Sequence, residues 1–165
     1  MKNYLMLNGK RIDLTEEQIK TLGFEVKKDY FERGGRYFYI TAQGNVTNDF
    51  DTNVCLTSAC RYKVGNYCTD RKIMEQRALH ETLDRLLWRF SMQNDGDKID
   101  WNNYFIDECV FAIDIHSGEP SIMACPKRNK VKYINNIYFY TKEIAQRAID
   151  EIIKPFMKEH PEFVW

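Results

Sequence analysis

No stretch of this sequence approaches the roughly 18 uninterrupted apolar residues of a membrane-spanning helix. The opening residues, MKNYLMLNGKRIDL, hold no apolar run long enough for a secretory signal. A cytoplasmic protein with no membrane partner is therefore expected. Net charge is also lacking, because 24 Lys and Arg are set against 24 Asp and Glu. That balance is a poor footprint for a dedicated DNA-binding protein and argues equally against an acidic DNA mimic. G-x-S-x-G, H-E-x-x-H, a phosphate-binding glycine loop and a dinucleotide fingerprint are all missing, so the expectation is a non-enzyme without a cofactor. Five cysteines, Cys55, Cys60, Cys68, Cys109 and Cys125, are an odd number without an export signal, and their C-x4-C spacing is not that of a paired zinc site. Reduced thiols and no metal follow, and His80, His116 and His160 lie near none of these pairs in sequence.

What is present suffices for a real core: 165 residues, 44% apolar and 14% aromatic, the length of one domain spanning 1–165. Residues 4–7 read as a short strand entering the Asn8-Gly9 turn. Thr15-Glu16-Glu17-Gln18 is a capping box, with Leu14 and Ile19 as a hydrophobic staple and Gly23 as a stop, so a helix is expected over about 16–22. After Lys27-Lys28-Asp29, the run Arg36 to Thr41 and the Gln43-Gly44-Asn45 turn into Val46 predict a hairpin. Residues 47–60 read as polar and irregular, and Arg61 to Val64 as a strand. The strongest helix covers about 70–92, capped by Thr69 or Asp70, with Ile73, Leu79, Leu83, Leu86, Leu87 and Phe90 on its apolar face. Strands are expected at 109–115, 121–124, 130–133 and 137–140. Thr141 caps a last helix with Ile144, Ala148, Ile149 and Ile152 inward, which Pro155 ends or kinks, and Phe156, Phe163 and Trp165 predict a packed tail.

A shift of seventy residues lays Gln76-Arg77-Ala78-Leu79 over Gln146-Arg147-Ala148-Ile149, and Asn66 over Asn136. The fold predicted is α+β: an antiparallel sheet with two long amphipathic helices packed on one face and a short N-terminal helix. It is organised as a tandem β-β-(β)-α pseudo-repeat with half-units 36–93 and 99–157 and an N-terminal extension 1–35.

Three places invite a chemical reading. Asp49-Phe50-Asp51-Thr52-Asn53 imitates the start of a calcium loop, but Val54 stands where glycine is wanted and Cys60 where a bidentate carboxylate is wanted, which favours a polar turn. The basic run Lys127, Arg128, Lys130 and Lys132, with Tyr133, Tyr138 and Tyr140 nearby, reads as a solvated hairpin tip or as a nucleic-acid contact with stacking tyrosines. Arg33, Arg36, Tyr37 and Tyr39 carry the same ambiguity between an interface and a strand with one aromatic face in the core. Cys68 near a helix N-terminus is the candidate for a small hydrolase, yet His80 is twelve residues on, roughly 18 Å along a helix axis.

Leu7-Asn8-Gly9-Lys10 with Leu14 to Gln18, Tyr37-Phe38-Tyr39-Ile40 with Gly44-Asn45-Val46, Tyr62 to Tyr67, and Ile137 to Ala145 together resemble small uncharacterised proteins encoded in prophages and other mobile elements of Gram-positive gut bacteria. The chain departs from that pattern in its cysteines at 55, 60 and 68. The resemblance implies a protein that binds a host protein, such as a CRISPR-type defence nuclease or its ribonucleoprotein, and inhibits it. The binding residues expected on this reading are Arg33, Arg36, Tyr37, Tyr39, Lys127, Arg128, Lys130, Lys132, Tyr133, Tyr138 and Tyr140, since Tyr and Arg dominate interface energetics. A nucleic-acid-binding accessory or regulator is the alternative, and a small hydrolase the third reading.

Overall fold

Thr15 and Gln18 close on each other in the computed structural model, which describes residues 4–7, 10–22, 29–102, 109–116, 119–127 and 136–164. Thr15 N donates to Gln18 Oε1 at 2.9 Å and Gln18 N to Thr15 Oγ1 at 3.2 Å, so two backbone amides at the helix start are satisfied reciprocally. Ile19 of the predicted staple is buried. The helix they open, α1 (Glu16–Thr21), follows a hairpin rather than a single strand. β1 (Tyr4–Leu7) pairs antiparallel with β2 (Lys10–Asp13), Tyr4 opposite Asp13 and Leu7 opposite Lys10. All four residues of β2 face solvent, which leaves no hydrophobic alternation to read. Asn8-Gly9, Gly23 and Lys27-Lys28 lie outside the described residues.

The chain divides into two compact units, Met1–Tyr39 with Thr47–Arg71, and Ile40–Val46 with Lys72–Trp165. The boundary after Arg71 falls within the stretch 36–93 that the sequence pattern treats as one half-unit. In the first unit the predicted hairpin forms from β3 (Gly35–Ile40) and β4 (Val46–Asp51), its tip belonging to the second unit. Beyond it the prediction of irregular chain to 60 and a strand at 61–64 is corrected: α2 spans Leu56–Lys63. An alternation of only Tyr62 and Val64 is too short to decide between periods, whereas the helix has a ready stop. Gly65 adopts φ 74°, its N–H bonds Tyr62 O at 3.0 Å and Asn66 N bonds Arg61 O at 2.8 Å. This is the pair of bonds by which a left-handed glycine closes a helix. Phe38 and Cys68 then exchange backbone hydrogen bonds of 2.7 and 3.0 Å, tying the chain after α2 to β3.

The second unit is built on α3 (Arg71–Gln93) and a three-stranded antiparallel sheet in the order β6-β5-β7, with β5 Cys109–His116, β6 Glu119–Pro126 and β7 Tyr138–Phe139. Val110 faces Cys125, Ile113 faces Ile122 and Phe111 faces Phe139 across this sheet. Alternation sorts its two faces. Phe111, Ile113, Ile122 and Phe139 join Leu83, Leu87 and Phe90 of α3 and the C-terminal helix in one core, while Val110, Ala112, Cys125 and Tyr138 pack with Ile99 and Trp101 on the other face. Ile73, expected on the inner face of α3, is 41% exposed and Met74 is the buried residue there, at 1%. The predicted strand at 130–133 lies outside the described residues.

Thr141 Oγ1 accepts from Ile144 N at 3.3 Å and starts α4 (Lys142–Ala148) as expected. Pro155 does not end the helix. The chain widens into a π-turn over Ile149–Ile153 and continues as α5 (Lys154–Glu159), because proline offers no N–H and its ring crowds the preceding carbonyl of a regular turn. Phe156 and Phe163 are buried as predicted for the tail, and Trp165 lies outside the described residues.

The architecture is α+β with antiparallel sheets, as the pattern predicts. Among the described residues the strands form three separate sheets rather than one, and the pseudo-repeat is not reproduced: a helix, α2, precedes α3, whereas a strand, β7, precedes α4. No helix among the described residues is long and apolar enough to cross a membrane.

Candidate functional site

In β4, residues two apart share a face, so Asp49 and Asp51 point the same way, and each meets an arginine. Arg33 Nε lies 2.9 Å from Asp51 Oδ2 and its second nitrogen 3.2 Å from Oδ1, a bidentate pair. The Asp51 carboxylate is fully buried and also accepts from Asn53 N at 2.8 Å, with Ser58 Oγ at 2.7 Å. The Arg33 guanidinium, together with these donors, holds its carboxyl well below the usual range despite burial. A buried carboxylate satisfied in this way is a fixed strut and not a free acid or base.

One strand step away, Arg61 of α2 donates to Tyr37 Oη at 2.6 Å and to Asp49 Oδ2 at 3.0 Å, and its guanidinium carbon sits 3.5 Å from the centroid of the Tyr39 ring. Such stacking suits a planar, weakly hydrated cation. Tyr37 is buried, stacks on the buried Tyr67 with ring centroids 4.3 Å apart and 10° between planes, and has its hydroxyl pushed up by burial. Tyr62 meets the Tyr67 ring edge-on at 5.5 Å. The Asp49 carboxyl is lowered by the Phe50 amide and by Arg61.

The calcium-like DFDTN run is thereby accounted for, since arginines already neutralise both of its carboxylates. No group of three or more His, Cys, Asp or Glu side chains that could hold a metal occurs among the described residues. Arg33, Tyr37 and Tyr39 are thus brought together, but Tyr37 is wholly buried and Arg33 is committed to Asp51. Arg36 is exposed. In the basic segment Lys127 is buried at 6% exposure, Tyr138 is buried against Trp101 and Tyr140 is 42% exposed. Arg128, Lys130, Lys132 and Tyr133 lie outside the described residues. Cys68, the hydrolase candidate, is buried and its sulfur accepts from Asp70 N at 3.4 Å.

Sequence reasoning missed Arg61, Ser58 and Tyr67. The signals that could have found them are the Val64-Gly65-Asn66 helix stop, which makes 56–63 helical, and the Asp-x-Asp alternation of Asp49 and Asp51, which places two carboxylates on one strand face where each wants a cation. Also missed is an apolar row. Leu56, Cys60 and Val64, spaced by four, line one edge of α2 and the capping residue that follows it, on the side away from Ser58. Leu56 is 82% and Val64 72% exposed, Cys60 is exposed, and Val54 just before the helix is 85% exposed. Comparison with protein-family models, with curated proteins and with solved structures finds no match to this chain.

Proposed function

We propose that the chain is a non-catalytic protein-binding module whose partner contact is the apolar row Val54, Leu56, Cys60 and Val64 on the first unit. The observation that carries this reading is that row's exposure on a helix held from behind by side-chain bonds. Ser58 and Arg61 fix α2 through Asp51, Asp49 and Tyr37, while the opposite edge presents large aliphatic side chains to water. Contiguous exposed apolar surface on a rigid support is what protein interfaces are built from. Arg36 and Tyr39, already expected as binding residues, belong to the same unit and are exposed and half-buried respectively. The partner class that the resemblance to mobile-element proteins suggests is a host defence nuclease of CRISPR type or its ribonucleoprotein, which the bound module would inhibit.

The test is affinity capture from a bacterial lysate with the full chain, with and without nuclease treatment, alongside a Leu56→Asp, Val64→Asp double variant. Both positions are exposed, so the variant keeps its fold, which circular dichroism checks. A stoichiometric protein partner that survives nuclease and is lost with the double variant is the expected result. Capture that disappears with nuclease, or that the double variant retains in full, overturns the reading and, in the first case, favours nucleic acid.

A further inference from the structure

On α3 of the second unit lies an open recess of about 290 Å³, lined by Asp84, Arg85, Trp88, Asn136 and Ile137. Ile137 forms an apolar wall that packs against the core, and Trp88 is 58% exposed, a large area for an indole to leave in water. Asp84 and Trp88 are four residues apart on the helix and so stand side by side. The neighbouring charges on the helix are paired with one another: Glu81 accepts from Arg77 Nε at 2.9 Å and from Arg85 at 2.9 Å. Among the described residues Asp84 accepts no hydrogen bond. Desolvation by its neighbours pushes its carboxyl up, an effect that His80 opposes and Glu81 reinforces. Asp84 is exposed, so its carboxylate stands open to a cation entering the recess. Beside it is an aromatic face of the kind that attracts cations, best of all indole.

We propose that this recess binds an organic cation, an alkylammonium or guanidinium group. Its charge is set against Asp84 and its apolar part lies on Trp88 and Ile137. The walls select for this class over a metal ion, because an apolar wall and an indole favour a weakly hydrated cation that brings carbon with it. Asn136 adds a polar amide to the lining. This site is in the second unit and is independent of the apolar row on α2.

Choline chloride titrated into the full chain is the first probe, followed through the indole N–H resonance of Trp88, which a Trp88→Phe variant identifies by its loss. The neutral isostere dimethylbutanol controls for simple apolar binding. A saturable shift with choline is expected. The isostere should bind roughly tenfold or more weakly, and Asp84→Asn, an exposed isosteric change that leaves the other resonances in place, should weaken choline by a similar factor. An arginine amide or trimethyllysine peptide that binds tighter than choline assigns the site to a partner's side chain, and choline binding as tightly assigns it to a free cation. Equal binding of choline and its isostere, no effect of Asp84→Asn, or no saturable shift of the Trp88 signal each overturns the proposal.

Discussion

The two units are held by different physics. In the second, Leu83, Leu87, Phe90, Phe139 and Ile153 are aliphatic or aromatic side chains with almost no exposure, assembled from both helices and one sheet face. In the first, the deepest side chains include Asp51, Ser58 and two tyrosines, and the elements are joined by arginine to carboxylate and arginine to ring. Burial of apolar area is non-directional and nearly indifferent to pH, whereas a charged, hydrogen-bonded frame depends on protonation and on the geometry of each bond. A small unit with few buried aliphatic residues can thus still hold a helix firmly enough to present a surface, at the cost of sensitivity to conditions.

The comparison breaks most visibly where the core is emptied. Phe139→Ala should cost about 3–5 kcal/mol in urea unfolding, with little change between acid and neutral pH, since what it removes is packing. Asp51→Asn should follow, losing several degrees of thermal stability near neutrality, and it carries a sign. The folded carboxyl is lowered, so its contribution is fully present above the unfolded value of about 3.9 and is lost as pH falls below it. The gap between Asp51→Asn and wild type should therefore be widest near pH 7, begin to narrow as pH falls past about 4, and close only as pH passes through the much lower value of the folded carboxyl. A gap that stays constant across that range would put Asp51 with Phe139 as packing alone. Arg61→Lys keeps the charge but loses the flat fork over Tyr39 and should cost about 1 kcal/mol by denaturant titration. Gly65→Ala, which forces a side chain into a left-handed turn, should also cost about 1 kcal/mol or slightly less, read as a loss of helicity and melting temperature.

What was legible in the sequence follows the range of the signal. The α1 capping box, the hairpin around Gly44, the long periodic α3 and the Thr141 cap are local, and all are present. α2 was misread because eight residues with mixed character give no clear period, and its one marker, Gly65, lies beyond its end. The Arg33 to Asp51 pair joins residues 18 apart in sequence and Arg61 to Tyr37 joins residues 24 apart, distances over which sequence pattern carries no information about pairing. Tyr37 and Tyr138 were expected as exposed anchors and are core residues, because alternation separates two faces of a strand without saying which is wet. Lys127 is the same lesson with a charge, expected at a hairpin tip and found buried.

The most direct test of the central claim is the affinity of the captured partner for the full chain and for Leu56→Asp, measured at about 0.1 M and about 0.5 M salt. Leu56→Asp should bind at least roughly tenfold more weakly and the wild-type affinity should change little with salt, as befits an apolar anchor on a neutral chain. Steep loss of affinity with salt, together with unchanged binding by Leu56→Asp, would contradict it and place the contact on basic side chains instead.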